Sequence, residues 1–163
     1  MISFPDDREY GVPMAVTETG SIAVHAIDDL SFQLARANAV SMQTASAALR
    51  PFGLKPRSYS VLSLALADHR PSQREIAEYL RLDPSQVVSL VDDLQKRGLV
   101  AREVDQEDRR AKVVVGTPEG ARLHAEASAA TQRGEAELLR VLDDAETAML
   151  RRLLLRVGFP DEV

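Results

Sequence analysis

The 163-residue sequence contains no cysteine, which excludes disulfides, thiolate metal sites and thiol-oxidation triggers and fits a reducing compartment. It has no apolar run approaching the ~20 residues that a membrane span needs. It also has no charged start leading into a short apolar segment, the mark of a secretory leader. The expectation is a soluble, cytoplasmic chain without membrane contact. His25, His69 and His124 lie far apart and show no metal-ligand spacing, so neither a metal nor a cofactor is expected. No Gly-rich phosphate loop, nucleophile motif or paired-carboxylate arrangement stands out, and no enzyme activity is expected. Positive charge is scarce as well, with 20 Lys and Arg against 25 acids and a net charge of −5.

That average hides a gradient. Residues 1–54 hold three Arg against six acids, a net of −3. Residues 55–112 hold eleven Lys and Arg against ten acids, a net of +1, and residues 113–163 hold six Arg against nine acids, again −3. Only the middle third escapes net negative charge. Charge therefore permits a polyanionic partner there without establishing one.

Residues 1–20, with Pro5, Gly11, Pro13 and Gly20 and no periodicity, read as an arm. From Ser21 the apolar positions Ile27, Leu30, Leu34 and Ala37 recur at helical spacing and continue to Leu49, where Pro51 and Gly53 stop the helix. A second helix begins near Pro56 with Tyr59, Leu62 and Leu66 on one face. In PSQREIAEYL, Ser72 and Glu75 form a capping box, and Ile76, Ala77 and Leu80 point inward. Three residues on, DPSQ offers Asp83 as a cap, Pro84 at the first helical position and Gln86 where a capping box wants it. Val87, Val91 and Leu94 then form the buried stripe, and Gly98 ends the helix with Leu99 folded back. Two extended runs, Val100–Val104 and Ala111–Val115, flank the polar tip DQEDRR. Thr117-Pro118 opens a helix through about Ala130. A final helix carries Leu138, Leu142, Ala145, Met149 and Leu153 and stops at Gly158-Phe159-Pro160.

The short capped helix, three-residue turn and second helix make a helix-turn-helix, and the ribbon with a basic tip makes it a winged helix. The fold is expected to be mainly α with a short two-stranded wing. With Val87, Val91 and Leu94 inward, the outward set of the recognition helix is Ser85, Gln86, Ser89, Asp93 and Lys96, with Val88 at the margin. Ser85, Gln86 and Ser89 suit base reading: Gln pairs with adenine, Ser donates or accepts, and the Val88 edge suits a thymine methyl. Asp92-Asp93 reads as a solvated face. Two roles are open to Gln86, completing its own capping box or reading a base.

From Ser72 to Gly120 the sequence SQREIAEYLRLDPSQVVSLVDDLQKRGLVAREVDQEDRRAKVVVGTPEG resembles the MarR (multiple antibiotic resistance regulator) family of winged-helix transcription factors. The most specific elements are Asp108-Arg109-Arg110-Ala111 in the wing and the helix start Thr117-Pro118-Glu119-Gly120. The resemblance implies a homodimer, with residues 21–54 as an N-terminal dimerisation helix, 55–117 as the DNA-binding lobe and 118–163 as C-terminal dimerisation helices. Burying the long apolar flanks against a partner agrees with that. Arg110 would enter the minor groove of double-stranded DNA, where negative potential is concentrated, with Asp108 orienting it. Arg109 and Lys112 would contact phosphates, and so would the helix start at Ser72, Gln73 and Arg74, where free N–H groups meet an anion. A plain wing-tip ion pair of Asp108 and Arg110 stays open.

The chain departs from the family pattern at Ser89 and Asp93, often basic in other members, and at Gly116, where an aliphatic residue is usual. A loosely packed end of the second wing strand is expected at Gly116. The implied function is sequence-specific transcriptional regulation, as a repressor on a pseudo-palindromic operator, relieved by a small aromatic or phenolic effector. His25, Arg36 and Arg50 are the candidate effector-pocket residues. The alternatives are a winged-helix protein-interaction module that does not bind DNA, and a small-molecule-binding dimer.

Overall fold

The computed structural model describes residues 29–105 and 109–160. Six α-helices and one antiparallel strand pair follow in the order helix, helix, helix, helix, strand, strand, helix, helix among these residues. That is the expected mainly α winged-helix order. No described helix is long and apolar enough to cross a membrane.

Helix α1 (Leu30–Leu49) begins where the Asp29 carboxylate accepts the backbone N–H of Ser31 at 2.8 Å. The expected start at Ser21 lies outside the described residues. Within its first nine residues Leu30, Phe32 and Leu34 are exposed. At the other end Leu49 is fully buried, and a 3-10 turn, Arg50–Phe52, closes onto Gly53 with φ +63°. The predicted stop at Pro51 and Gly53 is therefore met by a left-handed cap.

Helices α2 (Pro56–Ala65), α3 (Gln73–Leu80) and α4 (Pro84–Lys96) enclose one apolar cluster with the strands β1 (Val100–Val104) and β2 (Lys112–Gly116). Its fully buried members include Leu62, Ile76, Val87 and Val91, with Leu94 and Val114 almost as deep. Of the inward stripes expected at Ile76/Ala77/Leu80 and Val87/Val91/Leu94, all are buried except Leu80, which is partly buried against the same core. The strands pair from Val100 opposite Gly116 to Val104 opposite Lys112. A single bridge from Ser72 to Val113, with Val114 N–H donating to the Pro71 carbonyl at 2.8 Å, ties the start of α3 to the wing.

Helix α5 (Pro118–Leu138) and helix α6 (Asp144–Gly158) differ from the sequence reading. Helix α5 does not stop near Ala130 but runs to Leu138, so Leu138 and Leu142 are not part of the last helix. The break is set by a second capping box, Asp143 with Glu146, whose N–H to carboxylate bonds are both 2.8 Å. Gly134 inside α5 is no helix end. A Cβ there would sit 3.1 Å from the Thr44 methyl of α1, so the glycine allows a close helix crossing.

Gly116 also corrects an expectation. A Cβ at this position would lie 2.2 Å from the Leu66 side chain. The end of β2 is tightly packed on Leu66, and the missing side chain is what makes room. Nearby, His124 is a packing residue. Its ring stacks on Tyr59 at 5.0 Å, and Nε2 lies 2.9 Å from the Ser63 hydroxyl. Burial pushes its pKa below the ordinary histidine value.

The junction between wing and α5 explains the Thr-x-x-Gly signature. The Thr117 hydroxyl donates to the Gly98 carbonyl at 2.6 Å while accepting the Gly120 N–H at 3.0 Å. A Cβ on Gly120 would meet the Leu99 carbonyl oxygen at 2.0 Å, a backbone atom that cannot swing aside. Gly98 has φ +71° but open space around it. Gly120→Ala should therefore destabilise the fold by roughly 2 kcal/mol or more, as an overpacked core site does. Gly98→Ala should cost only about 1–2 kcal/mol for the left-handed conformation. Urea unfolding of the two variants at equal concentration checks the order, and a neutral Gly120→Ala contradicts it.

Candidate nucleic-acid interface

The recognition helix α4 is started by Asp83, whose carboxylate accepts the Ser85 N–H at 2.8 Å and the Ser85 hydroxyl at 2.5 Å. Those two bonds, the hydroxyl first, hold the Asp83 carboxyl below its usual pKa. Ser85, Gln86, Val88, Ser89, Asp93 and Lys96 are all exposed, as the stripe required. The Ser89 hydroxyl donates to the Ser85 carbonyl at 3.2 Å. With both hydroxyl protons used inside the helix, the two serines turn acceptor lone pairs outward.

Gln86 does not fold back on its own helix start. Its Oε1 accepts from the Arg57 guanidinium at 3.3 Å, across 29 residues of sequence. Of its two open roles, the capping box is thus not the one adopted. Arg57, in the first turn of α2, borders a shallow concavity with Ser85, Gln86, Ser89, Leu90 and Asp93. Sequence reasoning missed Arg57, since nothing local to α2 indicates which side chain of α4 it meets.

Arg102 on β1 is the second residue the sequence did not single out. Its Nε and Nη2 donate to the Gln73 Oε1 at 3.1 and 2.7 Å, Nη2 also to Asp92 at 2.6 Å, and Nη1 to the Gln95 Oε1 at 2.5 Å. Asp92 is therefore an ion-pair partner and not merely a solvated residue; Asp93 is exposed as expected. The Gln73 carboxamide is turned by the same guanidinium, which carries only donors. Its oxygen faces Arg102 and its NH2 group is directed away, at the start of α3.

That start is a closed capping box. The Ser72 N–H donates to Glu75 at 2.7 Å, and the Ser72 hydroxyl accepts the Glu75 N–H at 3.2 Å. The Ser72 backbone N–H, then its hydroxyl, hold the Glu75 carboxyl below its ordinary pKa, helped by His69 at 3.7 Å. Arg74 pairs with Glu78 at 2.8 Å on the exposed side of α3. Arg97 turns away from the interface and donates to the Gly53 and Phe52 carbonyls at 2.7 and 3.0 Å, pinning the turn after α1.

At the wing, Arg109, Arg110 and Lys112 are exposed, and the Asp105 N–H donates to the Ala111 carbonyl at 3.1 Å below the tip. Asp108 lies outside the described residues. Arg70 and Glu103 form an ion pair on the flank of β1. Of the effector candidates, His25 lies outside the described residues, and Arg36 and Arg50 are each exposed.

A family model described as the MarR family matches residues 52–111. A MarR-family transcriptional regulator from Rhodococcus sp. RHA1 is 38% identical, with a TM-score of 0.77 over 86% of this chain and 99% of that one. CouR from Rhodococcus jostii RHA1, solved bound to p-coumaroyl-CoA, is 38% identical, with a TM-score of 0.75 over 85% and 97% of the two chains. A transcriptional regulatory protein assigned to the hcr operon of Thauera aromatica is 30% identical over 79% of this chain and 78% of its own length.

Two outcomes follow from the site geometry. Arg102→Ala should lower stability by roughly 1–3 kcal/mol, the range for charge-assisted hydrogen bonds, read by urea unfolding; a change under about 0.5 kcal/mol contradicts the network, being what an ordinary surface substitution gives. The Glu75 cap contributes in full above the unfolded glutamate value of 4.5 and is lost as pH falls through the lower folded value. Glu75→Gln should remove that part of the acid-side slope of stability against pH, and an unchanged slope contradicts it.

Proposed function

The chain belongs to the MarR family of transcriptional regulators, and on that premise we propose that it represses transcription as a homodimer on a pseudo-palindromic operator. The observation that carries the DNA-reading part is the outward face of α4: Ser85, Gln86, Val88 and Ser89 are exposed together on a helix capped at Asp83. In a helix-turn-helix this is the end that meets base edges in the major groove. The wing supplies Arg109, Arg110 and Lys112 for phosphate and minor-groove contacts, with Asp108 as the orienting acid of Arg110. The start of α3, at Ser72, Gln73 and Arg74, supplies the Gln73 and Arg74 backbone N–H groups and the Gln73 NH2 for a phosphate, the Ser72 N–H being held by Glu75.

The dimer rests on apolar surface that a monomer leaves wet. On α6, Met149 and Leu153 are each 45% exposed and Val157 70%, spaced four residues apart on one face. Such a row on one helix suits burial against a second copy. Two lobes then fall on successive grooves and the operator mirrors the two-fold axis.

The effector is a small aromatic or phenolic acid, free or as its thioester, a reading supported by the p-coumaroyl-CoA held by CouR. It acts by binding one lobe spacing better than the other, and only that difference in affinity shifts the population. Sedimentation should show a dimer. Binding to genomic fragments should weaken roughly 10³-fold or more between 50 and 200 mM salt, as expected for a protein with six or more phosphate contacts. A monomer at micromolar concentration overturns the dimer, and no retained duplex at low salt overturns the regulator reading in favour of a protein-interaction module.

A further inference from the structure

Arginines of the lobe divide by what they touch. Arg70 pairs with Glu103, Arg74 with Glu78 and Arg102 with Asp92, while Arg97 is spent on two backbone carbonyls. Arg57 has no carboxylate partner among the described residues. Its one described side-chain bond goes to the Oε1 of Gln86, on the face of α4 that carries Ser85 and Ser89.

From this contact we infer that Arg57 is a specificity-determining residue, one that fixes which base edge Gln86 reads. The inference rests on the DNA-reading role proposed above. A guanidinium has five N–H donors and no acceptor, so only the carboxamide oxygen of Gln86 can face it. The NH2 group of Gln86 is then directed to the open side of the helix. Bidentate recognition of adenine needs both halves of the carboxamide, oxygen to the N6 amino group and NH2 to N7. Held with its oxygen toward Arg57, Gln86 turns its NH2 donors to the duplex, and the edges that offer them only acceptors are the N7 and O6 of guanine or the O4 of thymine, whereas adenine sets its N6 amino donor beside N7. Adenine, favoured when Gln86 is considered alone, becomes the disfavoured purine.

The placement is suited to this. Pro56 and Arg57 occupy the first turn of α2, and the Val61, Leu62 and Ala65 positions of the same helix are buried in the core with Val87 and Val91 of α4. The guanidinium thus reaches α4 from a base packed against the same core. The remaining donors of Arg57 stay available for a phosphate or a second base.

Selection of bound sites from randomised duplex DNA tests this with the full chain and with Arg57→Ala, Gln86→Ala and the double variant. The wild type should prefer guanine or thymine at one position per half-site. Gln86→Ala should flatten that position by about 5- to 100-fold in relative preference. Arg57→Ala, by freeing the oxygen, should move the preference at the same position to adenine, and the double variant should match Gln86→Ala. Because Arg57 is exposed, thermal unfolding of its variant should match wild type. An Arg57→Ala profile with the wild-type base order, weakened equally on all sequences and with a shallower salt slope, would make Arg57 a phosphate contact and overturn the inference. A flat profile there would assign the base contact to the guanidinium itself and overturn it too, as would adenine preference in the wild type. If the wild type selects no sequence, the DNA-reading role itself fails, a result separate from any change in base order.

Discussion

The Arg102 side chain leaves β1 and donates to Gln73 at the start of α3 and to Asp92 and Gln95 on α4, so one planar cation spans three elements. Each of those elements has its own apolar anchor, Ile76 in α3, Val91 in α4 and Val100 in β1, all in one cluster. Apolar packing alone fixes depth but is tolerant of rotation and sliding. The fork geometry of a guanidinium is not tolerant, because its donors leave in one plane at set angles. Arg102 therefore sets the azimuth of α4 relative to the start of α3 and the wing. In the proposed regulator, what each of these offers to a duplex depends on that register.

With the register fixed, the electrostatic problem posed by the sequence has a physical answer. A chain of net charge −5 carries a recognition helix whose first two turns hold no cation. In the structure that face is not asked to attract. Ser85 and Ser89 have spent their hydroxyl protons inside the helix, Asp92 is neutralised by Arg102, and Arg57 comes from another helix to lie beside Gln86. In the regulator proposed here, attraction falls to the wing and to the start of α3, and α4 supplies register. Long-range charge sets approach and non-specific hold, whereas base edges set sequence, and the two are separable because they live on different atoms of the duplex.

The sequence was most readable where the chemistry is local. Ser72 with Glu75, Asp83 with Pro84, Gly98 with Leu99 and Thr117 with Gly120 each act within four residues, and each is found as expected. The buried stripes of α3 and α4 were equally legible, since burial follows the helical period. What the sequence hid is tertiary. Arg102 reaches back 29 residues to Gln73, Arg97 reaches 44 to Gly53, and Arg57 reaches 29 to Gln86. Gly116 looked like a gap because a small side chain suggests space, but the space is filled by Leu66, the residue that follows α2. The over-early end of α5 had a different cause. Gly134 and the polar run before it weaken the helical pattern, and only the crossing with α1 at Thr44 shows why a glycine belongs there.

The central claim is that attraction and register reside on different residues. The slope of log affinity against log salt counts the phosphates neutralised, at roughly 0.9 per contact on duplex DNA. Measured on one selected duplex, the joint variant Arg109→Ala, Arg110→Ala and Lys112→Ala should show a distinctly shallower slope than the unaltered chain. The joint variant Ser85→Ala, Gln86→Ala and Ser89→Ala should keep the full slope while losing preference for that duplex over others. A full slope in the wing variant, with a shallow one in the α4 variant, would contradict the account.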